Sequence, residues 1–181
     1  MTRAVFLDRD GVINKNWDTG TRALEKFIYE DGALSALAKL AIIREPIIVV
    51  TNQAAVGRGL MSRETLQQIH DKMLSDIKAA GGRVDAIYIC PHKPEDRCQC
   101  RKPLPGLLTQ AAAERHLSLQ ESFVLGDYPR DLASGLAVGA TTIWLDHRYT
   151  FHLEWGNTRP HHTVTTLEAA VELILQAWGY R

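Results

Sequence analysis

Ala4-Val5-Phe6-Leu7-Asp8-Arg9-Asp10-Gly11 is the stretch that decides the fold: four apolar residues run into two carboxylates two positions apart, and a glycine follows. A short branched run ended by polar residues reads as a buried strand leaving a sheet. Side chains alternate across a strand with a period of two, so Asp8 and Asp10 project to the same side as the chain departs. Two like charges so placed repel unless they share a proton or a cation, and hard oxygen donors suit a divalent ion such as Mg²⁺. Two solvated turn aspartates are the competing reading, because acidic residues are common in turns.

Similar runs recur at Ile47 to Val50, Ala86 to Ile89, Phe123 to Leu125 and Thr141 to Leu145. Each reads as a buried strand. Between them lie helical patterns. The clearest has Ser62 as N-cap, carries Leu66, Ile69, Met73 and Ile77 on one face, and stops at Gly81-Gly82. Asp31 to Ile43, Gly106 to His116, Asp131 to Val138 and Leu167 to Trp178 are read as the others. Alternating strands and helices imply a parallel sheet covered on both faces, a three-layer Rossmann-like α/β architecture whose ligands sit at the C-terminal strand ends. Nothing divides residues 1–181 into more than one domain, and there is no internal repeat.

The chain has 181 residues, 45% hydrophobic and 23% charged, which suits a folded core rather than disorder. Lys plus Arg and Asp plus Glu each number 21, so no global field recruits nucleic acid or anionic lipid, and a charged substrate must meet a local site. Four apolar residues before Asp8 fall short of a signal-peptide core, and no run is long enough to span a bilayer. The three cysteines, Cys90, Cys98 and Cys100, crowd into eleven residues, which favours a metal site in a reducing compartment over a disulfide framework. A cytoplasmic location is expected.

The other strand ends carry complementary groups. Thr51-Asn52-Gln53 supplies a hydroxyl and two amides able to bond phosphate oxygens. Gly126-Asp127 with Asp131 adds carboxylates, and Arg101-Lys102 is the chain's single adjacent Arg/Lys pair. Cys90-x-His92 and Cys98-x-Cys100 together make three thiolates and one imidazole, a full tetrahedral shell for a structural Zn²⁺. Free cysteines near a surface histidine are the bland alternative.

Asp8-x-Asp10, Thr51, Lys102 and Gly126-Asp127 with Asp131, in this order on such strand ends, resemble the haloacid dehalogenase (HAD) superfamily of phosphotransferases. The resemblance covers nearly the whole chain. It implies a phosphatase in which Asp8 is the nucleophile that forms an aspartyl phosphate, and Asp10 protonates the leaving oxygen and later deprotonates water. It further implies Mg²⁺ held by Asp8, the Asp10 carbonyl and Asp127, with Thr51 and Lys102 neutralising the phosphoryl group, Asp131 positioning Lys102 and Gly126 in support.

Asp8-Arg9-Asp10-Gly11, Thr51-Asn52-Gln53, the zinc pairs and Arg101-Lys102-Pro103 are similar to the branch that holds heptose bisphosphate and histidinol-phosphate phosphatases. That implies a small phosphorylated sugar as substrate, contacted by Asn52, Gln53, Arg58 and Arg101, with histidinol phosphate as the alternative. The departures are Val12, Ala54, Tyr128 and the Leu145-Asp146-His147-Arg148 segment. Short inserts imply no large cap domain and an open pocket.

Other features are read down. His147, His152, His161 and His162 are expected in a solvated loop without metal, and His70 and His116 as packing or surface residues. Trp144 and Trp178 are expected in the core, and Trp17, in the loop just beyond Asp10, either at the substrate entrance or as core or loop cover. A zinc-bearing nucleic-acid module is the competitor from another class; zero net charge and the lack of interleaved aromatic and basic residues speak against it. A monomer that engages neither membrane nor nucleic acid is expected.

Overall fold

The computed structural model describes residues 2–17, 20–147 and 158–180. Six strands form one sheet: β1 (Val5–Leu7), β2 (Ile47–Asn52), β3 (Ala86–Cys90), β4 (Phe123–Gly126), β5 (Thr141–Leu145) and β6 (His162–Val164). Their order is β3-β2-β1-β4-β5-β6, and every pairing is parallel. The helices are α1 (Ala33–Leu40), α2 (Ala54–Gly57), α3 (Arg63–Ala79), α4 (Gly106–Arg115), α5 (Pro129–Leu136) and α6 (Leu167–Ala177).

Period-two alternation divides the strand side chains between two cores. Val5, Leu7, Ile47, Val49, Leu125 and Ile143 face the buried stripes of α1, α3 and α6. Ala4, Phe6, Ile48, Val50 and Val124 face Leu107, Leu108 and Ala111 of α4. On that same side α5 lies along β4 and β5, where a Cβ on Gly135 would stand 2.9 Å from Thr142 and 3.0 Å from Val124. The expected three layers are present. Helix α3 starts as read: the Ser62 hydroxyl accepts the Thr65 amide at 3.0 Å.

The structure departs from the sequence reading at several places. Thr51 and Asn52 are not loop residues but the last rungs of β2, paired in register with Ile89 and Cys90. Helix α1 is shorter than expected, and α5 starts two residues earlier, where Pro129 at its first turn has the fixed φ a helix accepts. His162 opens β6 rather than lying in a loop, and His161 Nδ1 accepts the Thr142 amide at 3.0 Å. β6 has no apolar run to announce it. His152 of that loop and Arg148 of the Leu145-Asp146-His147-Arg148 segment lie outside the described residues. Trp144 is half-buried on β5 rather than core, and Trp178 follows α6, its ring 5.3 Å from Phe123. No helix among the described residues is long and apolar enough to cross a membrane.

Candidate active site

β1 is flanked by β2 and β4, so the chain's crossovers leave in opposite directions on its two sides and open a crevice at the C-terminal strand ends. A polar cleft of about 230 Å³ lies there, small beside the usual range for drug-sized ligands. Asp8 and Asp10 line it, as do Thr51, Asn52, Gln53, Arg58, Arg101 and Lys102. All of these residues were named from sequence alone.

At its base lies Lys102, a residue only 3% exposed, its Nζ 2.8 Å from Asp8 Oδ1, 2.6 Å from Asp131 Oδ1 and 2.9 Å from the Val50 carbonyl. Burial alone would lower the lysine's pKa, but the charges of Asp131 and Asp8 outweigh it and the pKa is raised. Asp8 is pushed up to about 6, chiefly by burial against the pull of Lys102, with Asp131 and Asp10 adding repulsion. Asp127 is raised well above the usual carboxylate range by burial and by the charges of Asp131 and Asp8.

One carboxylate oxygen each from Asp8, Asp127 and Asp131 lies within 4.8 Å of the others. Asp127 Oδ2 accepts from the Asn16 amide at 3.2 Å, whereas its buried Oδ1 has no partner. Gly11 makes room for this group: its φ is +83°, and a Cβ there would stand 1.9 Å from Asp127 Oδ2. Crowded, desolvated carboxylates with an orphan oxygen suit a hard divalent cation. Both Asp131 oxygens are engaged, Oδ1 by Lys102 at 2.6 Å and Oδ2 by the Tyr128 amide at 3.1 Å, whereas Lys102 takes only Oδ1 of Asp8, so Asp8 and Asp127 are the side-chain donors left for Mg²⁺.

The Asp10 carboxylate is turned to other partners. It accepts from Arg9 Nη2 at 3.0 and 2.9 Å, from Asn14 Nδ2 at 2.9 Å and from Gln53 Nε2 at 2.8 Å. Burial works to raise its pKa, but the charge of Arg9 and these bonds hold it below the usual value. In this state Asp10 is an acceptor. A phosphate dianion placed beside it adds like charge and raises its pKa, which is the direction a proton donor needs.

Two residues assigned to substrate contact are occupied with the protein itself. Gln53 also donates to Thr51 Oγ1 at 2.9 Å, and both ends of the Asn52 amide clasp the Lys102 backbone, at 3.1 and 3.2 Å. They line the cleft but hold its chemistry in place. The sequence reading missed Asn14, Asn16, Arg22 and Arg130. Arg22 and Arg130 line the cleft, each with a buried Nε lacking a hydrogen bond, and the Arg130 guanidinium lies 4.1 Å from the Tyr128 ring. Trp17 lines the entrance, its indole N–H on the Lys26 carbonyl.

Cys90, His92, Cys98 and Cys100 converge as predicted. Cys90 Sγ lies 3.6 Å from Cys98 Sγ and 3.7 Å from His92 Nδ1; Cys100 Sγ lies 3.5 Å from Cys98 Sγ and 3.2 Å from His92 Nδ1. Bonds of about 2.3 Å to sulfur give a tetrahedral edge of roughly 3.8 Å, so the four atoms nearly span a zinc shell. The loop is tied to the cleft: Arg101 bonds the His92 carbonyl at 3.2 Å, and the Gly57 amide, next to Arg58, bonds the Pro91 carbonyl at 2.9 Å. A Cβ on Gly57 would meet that carbonyl oxygen at 2.6 Å.

His70 is not a surface residue. It is 2% exposed, its Nε2 lies 3.1 Å from Arg9 Nη1, and its pKa is lowered to about 4, first by burial and then by the charge of Arg9. The unfolded chain therefore takes up a proton near pH 6.5 that the folded protein refuses until about pH 4, and stability falls as pH drops through that interval. His70→Gln should remove about 3 kcal/mol of this acid-dependent loss. Urea melts of both proteins at pH 4.5 and 7.5 measure it; parallel losses in the two proteins would contradict it.

Three comparisons with known proteins agree. Residues 99–170 match a HAD-hydrolase-like family model. The D-glycero-β-D-manno-heptose-1,7-bisphosphate 7-phosphatase of Bordetella bronchiseptica is 39% identical over 143 residues, 79% of each chain, and that of Pseudomonas putida is 36% identical over 141 residues, 78% of this chain and 81% of the relative. The crystal structure of the B. bronchiseptica D,D-heptose 1,7-bisphosphate phosphatase complexed with magnesium and phosphate superposes with a TM-score of 0.88. It has 34% identity and covers 97% of this chain and 99% of that one.

Proposed function

Because the chain belongs to the heptose-1,7-bisphosphate phosphatase family of HAD-like hydrolases, we propose that it removes the C7 phosphate from a D-glycero-D-manno-heptose 1,7-bisphosphate. The observation that carries this reading is the charge of the cleft. In a chain with no net charge, Arg22, Arg58, Arg101, Lys102 and Arg130 gather around Asp8 and Asp10. Such an excess of guanidinium suits a ligand with a second phosphate besides the one transferred.

Lys102 restrains Asp8 Oδ1 and leaves the other carboxylate oxygen to attack phosphorus. As that bond forms, the bond from phosphorus to the C7 oxygen breaks, and Asp10 gives the leaving oxygen its proton. Water then attacks the aspartyl phosphate, Asp10 takes the water's proton, and inorganic phosphate leaves with Asp8 restored. Thr51 and Lys102 balance the charge of the phosphoryl oxygens. Mg²⁺, held by Asp8, Asp127 and the Asp10 carbonyl, would supply the positive charge that lets a carboxylate approach a phosphate dianion. Zn²⁺ in the Cys90, His92, Cys98 and Cys100 shell would hold the loop that delivers Arg101 and Lys102.

A phosphate-release panel tests the substrate. Both anomers of the heptose 1,7-bisphosphate, the heptose 1-phosphate and histidinol phosphate are compared with Mg²⁺ present, and one bisphosphate anomer should give the highest kcat/KM. A preference for histidinol phosphate would overturn the assignment. Arg22→Met should raise KM for the bisphosphate about tenfold with kcat nearly unchanged, as loss of uniform binding does. A fall in kcat alone would place Arg22 in the chemical step instead.

A further inference from the structure

We propose that His70, far from Asp10 in sequence and on another element, is a positioning residue for proton transfer: through Arg9 it aims the Asp10 carboxylate. The inference rests on the acid and base role given to Asp10 above.

Arg9 follows the alternation of the strand it extends. Asp8 and Asp10 line the cleft, whereas Arg9 between them is fully buried and does not line it. This guanidinium is thus no ligand for phosphate. Its Nη2 meets both Asp10 oxygens, its Nη1 meets His70 Nε2 at 3.1 Å, and its buried Nε has no partner. Arginine only donates hydrogen bonds, so the facing ring nitrogen of His70 must accept and the imidazole carries its proton on Nδ1.

Two anchors therefore fix one planar group: Asp10 on one terminal nitrogen and His70 on the other. His70 stands on the buried stripe of α3 with Leu66, Ile69, Met73 and Ile77, where an apolar side chain would satisfy packing alone. Its distinguishing property at this place is an acceptor. Without it, a buried charged donor already short of one partner loses a second, and leaving such a group unsatisfied is costly enough to move it. Asp10 moves with Arg9, and a displacement well under 1 Å is enough to impair a proton transfer.

The test is leaving-group dependence. A sugar phosphate expels an alkoxide that needs a proton, whereas 4-nitrophenyl phosphate expels a stabilised phenolate that does not. kcat/KM reports on the steps through loss of the leaving group. His70→Leu should lower kcat/KM for the heptose bisphosphate about 30-fold, within the range of acid catalysis, and for 4-nitrophenyl phosphate less than threefold. His70→Gln, whose amide oxygen accepts, should stay within about threefold on both substrates. Equal losses on both substrates, or no loss in folded His70→Leu, would overturn the proposal, as would failure of His70→Gln to restore activity. If His70→Leu does not fold, His70→Met carries the same comparison. Asp10→Ala separates the two readings. If it loses both substrates equally, the acid role of Asp10 fails; if it is selective and His70→Leu is not, only the positioning role fails.

Discussion

Asp8→Asn should end phosphate release, lowering kcat by at least about 10⁴-fold while the protein stays folded. The amide preserves the shape of the carboxylate and keeps an oxygen for Lys102, but its nitrogen and oxygen make far poorer nucleophiles toward phosphorus. Folding should survive, because Lys102 retains Asp131 at 2.6 Å and the Val50 carbonyl at 2.9 Å. The native carboxylate is in fact a strained member of the site. Its pKa of about 6, above that of an unfolded chain, means that the folded state binds its proton more tightly. The contribution of Asp8 to stability therefore falls as pH rises from about 4 to 6, and that fall should be missing from the variant. Phosphate release and a melting curve in the absence of Mg²⁺ measure both effects. Turnover within tenfold of the parent would remove Asp8 from the mechanism.

The second large effect is expected at the zinc shell. Protein purified without added metal should carry one Zn²⁺ per chain, and Cys98→Ser should lose it. Removal of a structural metal ligand should cost at least about 3 kcal/mol, which for a chain of this size lowers Tm by about 10 °C. Activity should fall as well, by tenfold or more, because the loop holds the approach to Lys102. The Pro91 carbonyl meets the Gly57 amide, the His92 carbonyl meets Arg101, and Asn52 clasps the Lys102 backbone beyond them. Metal analysis and calorimetry of both proteins decide the matter. A parent without zinc, or a variant with the parent's Tm, would leave the loop held by its hydrogen bonds alone.

Much of this was readable in one dimension. Central strands announce themselves as branched apolar runs, so β1, β2 and β4 were found directly, with the carboxylates that follow β1 and β4 and the Thr51 hydroxyl at the end of β2. The cysteines needed only their spacing. What escaped depends on partners distant in the chain. Arg22 sits in an irregular segment without periodicity, and nothing local says that it turns into the cleft. β6 is three residues at a sheet edge, too short and polar to stand out. Arg9 and His70 carried a signal that went unused. A residue between two cleft-facing aspartates must point to the opposite side of the strand, and a histidine on an otherwise apolar helical stripe needs a polar partner. Each fact points toward the other residue.

β1 is three residues long, yet the same Val5, Phe6 and Leu7 pair with β2 on one edge and β4 on the other. These rungs act as a gauge block for the whole crevice, because Leu7 stands opposite Val49 and Leu125, and Asp8 is the next residue. A slip of one position along either neighbour would carry the reactive oxygen about 3.3 Å out of place and turn it toward the wrong layer. An insertion before Asp8 would therefore silence the enzyme even in a variant that kept every polar side chain intact.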